Sequence, residues 1–303
     1  MSATPRMVAL GAICTTAIFQ VEQIEAPPAK VMARNRCTVV DGMAISAACA
    51  FQKLGGQAQV WARVGQDAEA DAMRQALAAE GLDTRGLHTV AGARSSHAAV
   101  IVDAQGQRLV VPFHDPQVDA SAHWLPLHEL AHADLLHCDV RWPEGAQTAL
   151  QAARAQGVAT MVDGDVAPQE VLARLMPLAD YAVFSDAGLR VYTGMTDVHQ
   201  ALLAVAARGH SRHVGASCGP EGYFWVEGSR IAHAPAPQVT VVDTLAAGDV
   251  FHGALALALL EGQDMAAAAR FACMAASLKC TQFGGRLGCP SRAQVAHALQ
   301  HGV

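Results

Sequence analysis

The stretch VVDTLAAGDVFHGALALALLEG, residues 241–262, decides how the chain is read. Two valines lead into Asp243-Thr244, small residues follow through Ala246, Ala247 and Gly248, and a single Asp249 precedes a long apolar run. The pattern predicts a strand, a tight turn and a helix beginning near Ala247. A helix start leaves its first N–H groups unpaired and carries partial positive charge. Small side chains let a phosphate approach that backbone closely. A carboxylate beside it can accept a proton from a hydroxyl. Phosphoryl transfer needs those two features, plus a metal to neutralise the phosphates. Taken alone, Asp249 is at least as well explained as an acidic residue favouring the first helical turn.

Outward from this stretch, strand-like segments at 8–13, 60–64, 134–138, 160–163 and 181–184 alternate with helical ones at 44–54, 68–80, 144–156, 169–176 and 197–208. Gly55, Gly81, Gly157 and Gly209 fall where helix C-termini take a left-handed residue. The alternation implies an α/β fold, doubly wound, with a mostly parallel sheet flanked by helices. Residues 17–40 and 94–113 break the rhythm and read as short strands of a small β-sheet lid. One domain over residues 1–303, with that lid inserted, is the expected organisation. Ligands in such sheets bind beyond the carboxyl ends of the strands.

Composition narrows the function. The 303 residues are 52% hydrophobic, enough for a well-buried core. A net charge of −6 gives no basic footprint for nucleic acid or an anionic membrane. The eight cysteines are scattered without a CxxC pair, which points to a reducing cytoplasm. Residues 7–19 could mimic a signal-peptide core after Arg6, but no cleavage site follows and one positive charge is a weak leader, so they read as a buried strand. The apolar run at 254–260 is too short to cross a bilayer.

Residues 243–254, DTLAAGDVFHGA, closely resemble the DTxGAGDxFxGA signature of the ribokinase-like, or PfkB, carbohydrate kinases. Ser217-Cys218-Gly219-Pro220-Glu221-Gly222 is similar to that family's Thr-x-Gly-x-x-Gly turn, and Val64-Gly65-Gln66-Asp67 to its Val-Gly-Asp-Asp stretch. Residues 39–56 fall where its N-terminal signature lies. The resemblance implies a sugar kinase using ATP and Mg2+, with Asp249 as the base and the N–H groups of Ala246, Ala247 and Gly248 as an anion hole. It implies ATP contacts from Ser217, Gly219, Gly222, Thr244 and Lys279, and sugar contacts from Thr16, Gly42 and Asp243. It leaves room for a homodimer through the lid. Asp163 and Asp165 could help hold Mg2+ through water, or merely form a turn. Within the family, DVRW (139–142), VDGD (162–165), GDVFHGALA (248–256) and LKCTxxGGRxG (278–288) are most similar to sulfofructose kinases. A ketose-like acceptor with an anionic tail near Arg141 or Lys30 would fit, Arg141 being a fork-shaped donor at a strand end; a surface ion pair is the plainer role for either cation.

The chain departs from the family in several places. Ala246 stands where the signature has Gly. If its φ is positive the Cβ costs about 1–2 kcal/mol; if negative, Ala is harmless. The N-terminal glycine pair reads Asp41-Gly42, Thr16 replaces a sugar-binding Asp, and Pro112 replaces a polar lid residue. Ser185-Asp186-Ala187-Gly188 occupies the place of an N-x-x-E metal motif. Two functions fit: a kinase for a different acceptor, or a catalytically weakened nucleotide- or sugar-binding homologue. A third class is spelled by His128, Glu129 and His132, the HExxH pattern of zinc hydrolases. Its helix is short, and no third ligand stands at a known spacing. His252, beside the catalytic loop, reads as a packed residue.

Overall fold

The computed structural model describes residues 3–24, 30–105, 107–118 and 120–302. Part of the first lid segment (25–29) and Gly106 of the second lie outside them. The elements run β1 (Arg6–Leu10), β2 (Cys14–Gln20), β3 (Asn35–Asp41), α1 (Met43–Lys53), β4 (Gln57–Val64), α2 (Ala68–Ala79), β5 (Asp83–Thr89), β6 (His97–Val102) and β7 (Arg108–Phe113). Then come β8 (Leu135–Cys138), α3 (Pro143–Ala155), β9 (Ala159–Gly164), α4 (Gln169–Leu175), β10 (Tyr181–Ser185), α5 (Asp186–Thr193), α6 (Val198–Ala206) and β11 (His213–Ser217). The chain closes with β12 (Tyr223–Glu227), β13 (Arg230–Ala234), α7 (Ala247–Leu260), α8 (Met265–Cys280) and α9 (Arg292–His301).

The main sheet has the order β13-β12-β11-β10-β9-β8-β1-β4-β5. All pairs from β11 through β5 are parallel; β12 and β13 add an antiparallel edge. Its central strands are buried on both faces, as the apolar runs MVAL and LLHC require. One face carries α1, α7 and α8, the other α3 to α6. The crossing of α1 and α7 needs Gly253, where a Cβ would stand 2.2 Å from the Ala47 carbonyl oxygen. This is the doubly wound architecture expected from the alternation.

The expected lid is also there, as a separate sheet of order β3-β2-β6-β7. Its apolar interior is small: Ile18, Val39, Val100 and Val102, completed by Leu245 and Phe283 from the main body. Pro112 sits on its outer strand, β7, where a missing N–H is tolerable.

Two expectations need correction. Residues 8–13 are not one strand. Strand β1 stops at Leu10, and the chain bends at Gly11 before entering the lid as β2. Gly11 is required there because a Cβ would meet the Asp139 carboxylate at 1.9 Å. Nor is there a strand before Asp243. Residues 235–246 are irregular, and Val241 and Val242 are exposed. The N–H groups of Val242 and Asp243 both donate to the Cys280 carbonyl, so this segment is tied to the end of α8 instead of to a sheet.

Candidate active site

The turn into α7 forms as the sequence indicates, with the helix starting at Ala247. Ala246 has φ 64° and is the non-glycine residue with positive φ among those described. Alanine therefore sits in the left-handed well that the signature reserves for glycine, at a cost of about 1–2 kcal/mol. Of the three amides expected to form the anion hole, that of Ala247 has an acceptor within the turn. Ala247 donates its N–H to the Thr244 carbonyl at 3.2 Å, and the Ala246 carbonyl accepts from Val250 at 3.0 Å. Gly248 and Asp249 hold the N–H groups that the first helical turn leaves without a helical acceptor.

Gly248 and Ala247 face a cleft of 640 Å³, together with Thr244, Ser217, Gly219 and Gly222. The far wall is the turn after β11. Its geometry comes from glycine: Gly219 has φ 54° and Gly222 φ 96°. A Cβ on Gly222 would lie 2.2 Å from the Ala234 carbonyl oxygen. Phe251, Ala276 and Ser277 supply a less polar floor, and Arg108 reaches the cleft from lid strand β7. Arg108 escaped the sequence reading, since an exposed Arg on an edge strand carries no motif. A separate cleft of 480 Å³ lies at the amino ends of the strands, beside Arg6, Gln57 and Asp83, away from the signature residues.

Asp249 is half-buried and makes no ion pair or hydrogen bond among the described residues. Burial pushes its carboxyl well above the usual carboxylate range, and the charges of Asp163, Asp41, Asp139 and Asp165 push the same way. Asp249 thus stands between the nucleotide-sized cleft and a group of acids at the strand ends. Asp139 is fully buried, accepts N–H bonds from Ala44 (3.2 Å) and Arg141 (2.8 Å), and is pushed up to about 6, chiefly by burial. Sequence reasoning marked this strand end without singling out Asp139; a charged residue closing the apolar run LLHC was the available signal.

The remaining expected residues divide. Asp163 and Asp165 lie in the acidic group, but each already has a partner. Asp163 is 3.6 Å from Nδ1 of buried His252; Asp165 accepts from Ser185 Oγ (2.8 Å) and Arg141 (3.0 Å). Arg141 also donates to the Val166 carbonyl at 2.8 Å, so its fork is occupied within the protein. Gly42 is the N-cap of α1 with φ 138°. Lys30 is exposed at the described edge of the lid. Thr16 is buried, its hydroxyl 3.3 Å from the Cys14 sulfur.

Asp243 and Lys279 do not line the cleft. Both are 0% exposed. Lys279 Nζ donates to the Asp243 carbonyl at 2.5 Å and lies 3.6 Å from its carboxylate. These two residues, expected at sugar and ATP, hold each other in the interior. The HExxH segment does not form the expected zinc helix. Leu127–His132 is a 3-10 helix, in which residues four apart point about 120° away from each other, so His128 and His132 do not share a face. Glu129 lies 3.7 Å from His128 itself. Among the described residues no three His, Cys, Asp or Glu side chains are grouped to hold a metal.

Comparison with known proteins agrees with this geometry. The pfkB family carbohydrate kinase profile matches residues 4–292. The chain is 25% identical to the ribokinase of Haemophilus influenzae over 97% of its own length and 98% of that protein's. It is 28% identical to a fructokinase of Klebsiella pneumoniae over 69% of its length and 73% of that protein's. An Agrobacterium tumefaciens crystal structure, provisionally assigned as a ribokinase, superposes with a TM-score of 0.94 at 37% identity, covering 98% of both chains. Arabidopsis thaliana ribokinase, solved with ribose and ATP, shares the fold at a TM-score of 0.82 and 23% identity over 99% of each chain. The chain therefore belongs to the pfkB carbohydrate kinase family, whose members phosphorylate sugars from ATP with Mg2+, and it is a kinase of that kind.

Proposed function

We propose that the chain transfers the γ-phosphoryl group of ATP to a hydroxyl of a ketose-like sugar, with Asp249 as general base. The observation that carries this is Asp249 itself. It is a carboxylate with no hydrogen-bond or ion-pair partner among the described residues, held above the usual carboxylate range, at the third position of a helix whose first turn opens on a 640 Å³ cleft. A carboxylate whose pKa is raised holds a proton more tightly than an ordinary one, which suits it to accept a hydroxyl proton. As that proton moves to Asp249, the sugar oxygen bonds to the γ-phosphorus and the bond to ADP breaks. The N–H groups of Gly248 and Asp249 and the dipole of α7 face the charge that develops there. Mg2+ supplies charge neutralisation on the phosphates. Asp163 and Asp165 would reach it through water, and their acidic neighbourhood suits a cation. Ser217, Gly219, Gly222 and Thr244 bound the space for the nucleotide. Lid strands β2, β3 and β6, with Thr16 and Gly42, close over the acceptor and exclude water.

The acceptor reading separates into two tests on one panel. ADP release should appear with at least one of ribose, deoxyribose, fructose and 6-deoxy-6-sulfofructose. ATP binding with no turnover across such a panel would instead favour the weakened homologue. An anionic acceptor, as in the sulfofructose kinases, would have to draw Arg141 away from Asp165. If it does, Arg141→Ala raises KM for the anionic sugar by about tenfold or more while sparing neutral ones, the scale of one charge-assisted hydrogen bond. Equal effects on both kinds of sugar would remove Arg141 from the acceptor site.

The outer strand β7 exposes Leu109, Val110, Val111 and Phe113 on a sheet edge. Unpaired apolar edges invite pairing with another chain. This supports a homodimer through the lid, and sedimentation should return twice the mass of one chain. A monomer at micromolar concentration would refute it.

A further inference from the structure

We propose that Lys279 is a positioning residue for phosphoryl transfer, whose buried ammonium holds the strained Ala246 turn in its reactive shape. This rests on the kinase reading above, and goes beyond it by assigning a role to a residue that touches no substrate.

The observations start from a cost. A lysine that is 0% exposed has left water with its charge, which a protein tolerates only for a paired group. Its partner is one residue, Asp243, engaged twice: the backbone carbonyl at 2.5 Å and the carboxylate at 3.6 Å. Burial pulls the Lys279 ammonium below its ordinary range and Asp243 pulls it back. Asp243 is itself the hub of the turn. Its carboxylate accepts the N–H of Leu245 at 2.8 Å, of Gly284 at 3.0 Å and of Gly285 at 2.8 Å. Its own N–H runs to the Cys280 carbonyl at 3.1 Å, beside Lys279. Three segments therefore meet on one buried ion pair: the end of α8, residues 284–285, and the start of the turn into α7.

The residue directly after Leu245 is Ala246, in the left-handed well. An L-residue stays in such a conformation only where its surroundings over-determine it. The surroundings on its amino side are this pair. On its carboxyl side the Ala246 carbonyl enters the first turn of α7, where Gly248 and Asp249 follow. Loosening the pair lets Ala246 relax, and the amides and carboxylate move with it. A shift of about 1 Å in a reacting group costs on the order of 100-fold in rate.

The test is a cycle between Lys279→Met and Ala246→Gly, with kcat, KM and melting temperature measured for all four proteins. Lys279→Met should lower kcat about 100-fold with KM for ATP changed little. Ala246→Gly should restore much of that kcat in the Lys279→Met background, because glycine holds the turn without strain, a larger relative gain than any it gives in the parent chain. Amide exchange over residues 244–249 should quicken in Lys279→Met and slow again in the double variant. If Lys279→Met is too unstable to purify, Lys279→Met/Asp243→Asn removes both charges, and the same rescue by Ala246→Gly is expected. Near-normal kcat at a temperature where the Lys279→Met chain is folded overturns the proposal. So does an equal effect of Ala246→Gly in both backgrounds, the signature of a merely structural lysine. Absence of turnover by the parent chain with every sugar would instead refute the kinase reading; the exchange measurement would still judge the clamp.

Discussion

Asp249→Asn is expected to lower kcat by about 10³-fold, the usual worth of a positioned general base, while making the protein more stable at neutral pH. The two effects share one cause. Burial, with Asp163, Asp41, Asp139 and Asp165 nearby, raises the Asp249 carboxyl in the folded chain well above the ordinary carboxylate range. The folded state therefore takes up this proton at a higher pH than the unfolded chain does. Between the two values stability falls as pH rises, because the folded state binds more protons there. Above both, the ionised carboxylate opposes folding by a constant amount. Asparagine has no charge to bury, so the variant should melt higher than the parent at pH 8. The gap should close as pH is lowered below the ordinary carboxylate range, where both states are protonated. The parent's kcat/KM should show an acid limb, activity falling as Asp249 protonates, at a pH above the ordinary carboxylate range. Melting curves and pH–rate profiles check both. A variant that melts lower at pH 8, with a limb near pH 4, would place Asp249 in a stabilising contact and remove it as the base.

Gly42→Ala should be the most damaging small substitution near the site. Gly42 joins lid strand β3 to α1 with φ 138°, outside the ordinary range of L-residues. An added Cβ would lie 2.1 Å from the Ala12 carbonyl oxygen, a contact with backbone that no side-chain rotation relieves. Backbone strain and steric clash together should cost about 3 kcal/mol or more. The same chain segment places Asp41 and the first turn of α1, to which Asp139 is bonded. Turnover should fall along with the melting temperature. Asp41→Gly is the informative control. Asp41 sits in the ladder opposite Cys14 and has no positive φ, so a side chain there carries no conformational cost. An unchanged melting temperature for Gly42→Ala would show that the lid junction has slack the geometry does not suggest.

That contrast also indicates what the sequence could tell. The alternation of apolar runs and glycine stops gave the doubly wound sheet and the position of the lid, because period and turn chemistry are local. The turn at residues 243–249 was legible for the same reason. Which departures matter was not. Asp41 and Ala246 look equivalent as losses of glycine, yet one is in extended backbone and the other in the left-handed well, and only φ distinguishes them. The pairing of charged residues was hidden in the same way. Asp243 and Lys279 read as ligand contacts because polar residues beside a signature suggest exposure. The fold pairs them in its interior, across 36 positions of sequence that carry no periodic mark. The acids around Asp249 come from separate strand ends and lid, so their mutual repulsion emerges only once the sheet is assembled.

The small interior of the lid has a further bearing on how the enzyme rests between turnovers. Ile18, Val39, Val100 and Val102 are the buried apolar cluster of the sheet, and they are completed by Leu245 and Phe283 from the body. Swinging the sheet outward would wet all six at once, and water resists that exposure. Between turnovers the lid would thus be tied to the body through Leu245, which stands in the segment that leads into α7.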